Sequence, residues 1–173
     1  MDPILKNLVR VGRVSSVDPD RCMARVAFED KDEAVSHDLP VLVRGALAAK
    51  DYWLPSPGEL VVCLYLPSGN SRGFVLGSLY SEANPPPVSN GDKRHISFVD
   101  GTRIEYDAGT HTLIIDAKGP VNIVATGNVN VTGDVRVSGD LNVSGDVVAG
   151  DISLKTHVHG GVMGGSGTTG PPE

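Results

Sequence analysis

Glycine recurs at every sixth position in GNVNVTGDVRVSGDLNVSGDVV, residues 127–148. Side chains alternate between the two faces of an extended chain. One face of each hexad therefore takes Gly, Val or Leu, and Val, and the other takes Asp or Asn, then Arg or Asn, then Ser or Thr. The repeat predicts strands with one apolar face and one polar face. Near its end the spacing shortens from six to five, between Gly145 and Gly150, which predicts a change of shape there.

A six-residue repeat has two structural solutions. A single-chain left-handed β-helix uses three hexads per coil and stacks several coils, whereas residues 127–149 supply roughly four hexads, little more than one coil. One coil cannot bury its own apolar face. Three chains that each contribute a strand per layer bury that face around a common axis and leave no free strand edge. The repeat therefore predicts an obligate homotrimer built on an intertwined triple-stranded β-helix.

The composition of the chain predicts an all-β protein. Its 173 residues include 21 glycines and 12 prolines, which favour short strands and turns over long helices. Five apolar segments, at 9–17, 22–28, 39–43, 59–66 and 72–79, suit a small OB-fold barrel. The prolines at 85–87 end that region. Four further segments, at 95–99, 102–106, 113–116 and 121–124, suggest a β-meander, because Asp-Gly and similar pairs separate them.

These observations predict six consecutive regions. They are an N-terminal arm at 1–9, an OB-fold barrel at 10–84, a linker at 85–92, a β-meander leading into the shaft at 93–125, the triple-stranded β-helix at 126–156 and a metal-capped apex at 157–173. No apolar run approaches the roughly 18 residues of a membrane span, and the first residues lack the apolar core of a signal peptide. We therefore expect synthesis and folding in the cytosol. Cys22 and Cys63 lie in predicted strands and are expected to be buried, reduced thiols.

The segment THVHGG at residues 156–161 is the strongest candidate for a metal site. His157 and His159 are two residues apart and share one face of an extended chain. In a single chain such a pair is a surface accident or a weak metal site. In a trimer, six imidazoles meet on one axis, which suits an octahedral first-row metal such as iron or nickel better than tetrahedral zinc. We predict one transition-metal ion per trimer on the threefold axis, held by His157 and His159.

Two other functions compete with a purely structural role. OB-fold barrels often bind single-stranded nucleic acid through basic grooves, but the first 30 residues carry five basic and five acidic side chains, and the formal charge of the chain is −6. A hexapeptide-repeat acyltransferase trimer needs more coils than the repeat provides. His37, His95 and His111 are single histidines expected to have ordinary roles. We predict a protein that is not an enzyme and does not bind nucleic acid, with those two functions as alternatives.

The motifs together resemble a known family. YWLPSPGE at 52–59, VVCL at 61–64, GFVLGSLY at 73–80, the hexads and HVHGG at 157–161 are similar to the central spike proteins, the baseplate assembly protein V family, of contractile-tailed bacteriophages and R-type pyocins, which are related to the type VI secretion spike. The resemblance implies an OB-fold that docks to baseplate hub or tail tube proteins, a triple-stranded β-helix shaft and an iron-capped apex. It also implies a place in the tail baseplate of the virion and a spike driven through the bacterial outer membrane on sheath contraction. The hexad run is shorter than in longer relatives.

Overall fold

The computed structural model describes residues 8–29, 34–67 and 72–159, together with 161 and 165. The chain divides into two compact units, Met1–Val121 and Asn122–Glu173. The described residues form eleven β-strands and almost no helix, which confirms the all-β prediction. Over these ranges there is no helix of the length and apolar character that a bilayer crossing requires.

The first unit begins with a six-stranded antiparallel sheet. Its strands are β1 (Val9–Asp18), β2 (Met23–Phe28), β3 (Ala34–Val35), β4 (Leu39–Pro40), β5 (Leu60–Tyr65) and β6 (Gly73–Ser78). The order is β3-β2-β1-β5-β6, and β4 also pairs with β2. Val41, just after β4, forms a parallel bridge to Val75 of β6, and the backbone N–H of Leu42 donates to the Val75 carbonyl at 2.8 Å. These bonds join β6 to the chain that follows β4, so the sheet curls round on itself.

The inward face of this sheet forms the hydrophobic core of the first unit. Alternate residues along the strands are buried, as the period of two requires. The core consists of Val14, Ala24, Val26, Phe28, Leu39, Val41, Val61, Cys63 and Val75. Trp53 packs against it and donates its indole N–H to the Leu42 carbonyl at 3.0 Å. At one end the Arg10 guanidinium lies 3.6 Å from the centre of the Phe28 ring, a cation–π contact.

The two cysteines have different surroundings. Cys63 is fully buried on β5, as predicted, and burial raises the pKa of its thiol to about 11. Cys22 is only half-buried, and its prediction as a strand residue was wrong. It lies in the turn before β2 with a φ of 53°, where its Sγ contacts the Trp53 carbonyl at 3.6 Å. Both thiols are free.

A three-stranded meander follows in the first unit, with β7 (Lys93–Ser97), β8 (Arg103–Asp107) and β9 (Thr112–Asp116) in antiparallel order. The predicted first strand at 95–99 was placed two residues too late. The Asn90 side chain accepts from the Asp92 N–H at 2.9 Å, a local turn that lets β7 begin at Lys93. The segment 121–124, predicted as a strand, forms none in the single chain.

The hexads lie in the second unit. Residues 122–147 are all described, and no strand is assigned among them. A short hairpin of β10 (Val148–Ala149) and β11 (Ile152–Ser153) follows. Its turn contains Gly150 at a φ of 61°, so the hairpin occupies the place where the hexad spacing shortens. The predicted N-terminal arm and the chain after His159 lie mostly outside the described residues.

We expect Gly12 of β1 to be required for the close packing of β1 against β2. A Cβ at this position would lie 2.5 Å from the Ala27 carbonyl oxygen and 2.6 Å from Cγ1 of Val26. Gly12→Ala should therefore lower the free energy of unfolding by about 1–3 kcal/mol. The fluorescence of Trp53, the single tryptophan, reports the transition.

Gly77→Ala on β6 is the matched control, because a Cβ there meets no atom within 4 Å. It should change the free energy of unfolding by less than about 0.5 kcal/mol. Equal transitions for the two variants would contradict the packing described here.

Candidate functional site

The two predicted metal ligands lie close together. The ring centres of His157 and His159 are 5.0 Å apart, and the ring planes make an angle of 75°. Both side chains are exposed. Both histidines follow the turn at residues 154–156, directly after the β10–β11 hairpin. The two imidazoles are therefore neighbours, and their role as metal ligands stays a prediction.

One nitrogen of His157 is already engaged by the backbone. Its Nδ1 lies 3.0 Å from the Ser153 carbonyl oxygen and 3.2 Å from the Leu154 carbonyl oxygen. A carbonyl oxygen can only accept, so Nδ1 carries the proton in these hydrogen bonds. In the neutral ring Nε2 then has the free lone pair, which is the form of imidazole that binds metals.

A local network holds the turn before His157. The Ser153 hydroxyl accepts from the backbone N–H groups of Lys155 at 3.2 Å and Thr156 at 3.0 Å. An Asp146 carboxylate oxygen accepts from the N–H groups of Val147 at 2.8 Å and Lys155 at 3.1 Å. The hydrogen bond with Ser153, helped by these two N–H groups, holds the pKa of Asp146 below its usual range. Carboxylate and hydroxyl together fix the chain direction on both sides of the hairpin.

The sequence reasoning missed Ser153 and Asp146. A usable signal was present, since Ser153 precedes Thr156 by three residues and follows a glycine turn, a spacing typical of serine side chains that bond to nearby backbone groups. Asp146 occupies the second place of a hexad, like Asp134 and Asp140. Nothing in the sequence therefore singles it out as the aspartate that bonds across the hairpin.

The ring centres of the two histidines are 5.0 Å apart, which leaves room for both imidazoles to approach one small ion. A single chain supplies too few ligands on its own. Over the described ranges, no three or more His, Cys, Asp or Glu side chains are grouped so that they could hold a metal ion.

The remaining histidines have local roles. His111 lies in the turn between β8 and β9 with a φ of 55°. The His37 carbonyl accepts a hydrogen bond from the Ser36 hydroxyl at 2.7 Å. His95 is more notable, because its Nδ1 lies 2.8 Å from Oε2 of Glu105, whose other oxygen accepts from the Lys93 ammonium at 2.8 Å.

The meander that carries His95 has its polar and apolar faces reversed relative to an ordinary surface sheet. Glu105 is only 4% exposed, whereas the apolar row on the opposite face is open. Ile96, Ile104 and Ile115 lie side by side across the three strands and are 57%, 38% and 60% exposed. Exposed apolar faces of this kind are typical of interaction surfaces.

Comparison with known proteins gave two matches. Residues 151–173 match a family model described as the GpV Apex motif. The chain is also 32% identical over 127 residues to the Spike protein of Escherichia phage P2. That alignment covers 72% of this chain and 58% of the relative, so the chain spans less than two thirds of the protein it matches.

These matches define the class of protein. The chain belongs to the phage baseplate spike family, as the resemblance of its motifs predicted.

The buried carboxylate of the meander should make its stability depend on pH. Hydrogen bonds from Lys93 and then His95 lower the pKa of Glu105. A lowered folded-state pKa adds stability above the unfolded value of about 4.3, and this stability is lost as the pH falls through the folded-state pKa. Glu105→Gln should therefore lower the thermal midpoint at pH 7, and the difference should shrink at pH 3. Circular dichroism measures both.

Glu82→Gln serves as the control, since Glu82 is exposed and forms no hydrogen bond within the described chain. Its midpoint should follow the wild type at both pH values. A Glu105→Gln deficit of the same size at pH 3 and pH 7 would contradict the ionic role of this carboxylate.

Proposed function

We propose that this chain is a structural component of the central spike of a contractile-tail baseplate, located in the virion and acting as a homotrimer. The family membership supports the spike role. The observation that carries the trimer is the exposure of the hexad apolar face. In the single chain Val129, Val131, Val135, Val137, Leu141 and Val143 are between 47% and 70% exposed.

This exposure leaves the repeat without a fold of its own. Apolar burial is the main favourable contribution to folding, and here the described hexads have neither a strand partner nor a covered face. Two further copies of the chain supply both at once, because each layer then contains three identical strands. The exposed isoleucine row of the meander supports the same arrangement. We therefore propose a triple-stranded β-helix shaft over residues 126–156.

We further propose that the first sheet is an OB-fold, the family's docking module. Its order, with β1 between β2 and β5 and with a parallel bridge closing β6 onto the chain after β4, supports a five-stranded Greek-key barrel of that type, with β3 as a short addition. Its proposed partners are the hub or tail tube proteins of the baseplate. The balanced charge of this region favours protein docking over nucleic-acid binding, which stays the second candidate function.

At the apex, His157 and His159 of three chains would provide six imidazole nitrogens for one transition-metal ion. Six nitrogens favour an octahedral metal, with iron or nickel as the candidates and iron as our proposal. When bound, the ion would cross-link three chain ends at the place where fraying otherwise begins. Such a tip suits a device pushed through the outer membrane by sheath contraction, a mechanical and not a catalytic function.

The two faces of one hexad provide a test of the trimer. Val135→Asp would place three carboxylates in the proposed apolar interior, where an unpaired charge costs several kcal/mol. We expect this variant to lose the trimer at micromolar concentration, as measured by light scattering after size exclusion.

Arg136→Asp is the matched control, because it introduces the same side chain one residue later, on the polar face. It should remain trimeric. If Val135→Asp is as trimeric as Arg136→Asp, the apolar face does not line the interface.

The metal site has a separate test. The double variant His157→Ala/His159→Ala should keep the trimer and lose the bound metal, because the hexads and not the metal hold the chains together. Elemental analysis of protein purified without an affinity tag or chelator gives the metal-to-trimer ratio. His37→Ala, an exposed histidine far along the chain, should keep one metal ion per trimer. Loss of the trimer in the double variant would contradict this division of roles.

A further inference from the structure

We infer that the β10–β11 hairpin is a positioning device that presets His157 to offer Nε2 to the apex metal, with Ser153 as its key side chain. This inference rests on the proposed metal-capped apex. It starts from the paired hydrogen bonds of Nδ1 to the Ser153 and Leu154 carbonyls, at 3.0 and 3.2 Å. Those bonds select one tautomer of the ring before any ligand is present.

The Ser153 side chain keeps these carbonyls in place. Its hydroxyl accepts from the N–H groups of Lys155 and Thr156 and from the Thr156 hydroxyl, at 3.2, 3.0 and 2.9 Å. The backbone N–H of His157 also donates to the Ser153 carbonyl at 3.0 Å. Ser153, which precedes the turn, thus bonds through its hydroxyl and its carbonyl to residues 155–157.

Asp146 connects this turn to the end of the hexads. Its carboxylate accepts from the N–H of Lys155 at 3.1 Å, and the Leu154 N–H donates to the Val147 carbonyl at 2.9 Å. Residues that precede the hairpin are therefore hydrogen-bonded to residues that follow it. A ring oriented in this way does not need to be ordered when the metal binds, and outer hydrogen bonds of this kind typically change metal affinity by about 10–100-fold.

The test compares three serine variants of the full chain. Ser153→Ala removes the hydroxyl, and Ser153→Thr retains it. Ser144→Ala is the matched control, because the Ser144 side chain forms no hydrogen bond within the described chain. Two readouts are used. The first is affinity for added Fe²⁺ or Ni²⁺ in competition with a chelator. The second is the ¹⁵N spectrum of the imidazoles in metal-free protein, which distinguishes an N–H nitrogen from a lone-pair nitrogen.

We expect Ser153→Ala to bind the metal about 10–100-fold more weakly, with Ser153→Thr and Ser144→Ala close to the wild type. In metal-free protein His157 should have its proton on Nδ1, and Ser153→Ala should populate both tautomers. Equal affinity and equal spectra for Ser153→Ala and Ser144→Ala would overturn the inference and leave the metal apex standing.

If neither the wild type nor any variant binds metal, the proposed metal apex is wrong. The spectra then decide only whether Ser153 fixes the tautomer of His157. A fixed Nδ1–H tautomer that Ser153→Ala releases supports it. A mixed tautomer in the wild type contradicts it.

Discussion

The apolar face of the hexad repeat is the constraint on which the proposed assembly depends. Valine and leucine recur at the same places in each hexad, and in the single chain they stay largely exposed. Extended backbone also leaves its N–H and C=O groups without partners in the chain. Association with identical chains would cover the apolar side chains and pair the backbone groups together, because a closed set of strands has no edge. In the proposed trimer the stability of the second unit is a property of the assembly.

The first unit follows different rules. Its sheet buries a conventional core of nine residues around Val26 and Val61 and joins β6 to the chain after β4, so it needs no other chain for its interior. The meander has one face of each kind. The Glu105 carboxylate on one face pairs with Lys93 and His95 of the same chain. The isoleucine row on the other face is exposed. The proposed spike thus has a self-sufficient docking module and a shaft that forms only on assembly.

Much of this organisation could be predicted from the sequence, because it depends on periodicity. Five of the six strands of the first sheet were located to within a few residues, and the family was recognised from local motifs. The short strand β3 was not predicted. Details set by single side chains were not predictable. The Asn90 side chain sets the start of β7. Cys22 has a left-handed backbone conformation, although the apolar residues that follow it suggested a strand. The Glu105 pairs depend on cross-strand register, and the role of Ser153 depends on a turn that only the fold reveals.

Native mass spectrometry of the untagged protein can decide whether three copies of this chain form the functional unit. We expect a species at three times 18.1 kDa, with the added mass of one transition-metal ion. A metal-free trimer would retain the shaft and remove the metal from the apex. A monomer at micromolar concentration would contradict the proposed trimer, because the apolar hexads would then remain uncovered in solution.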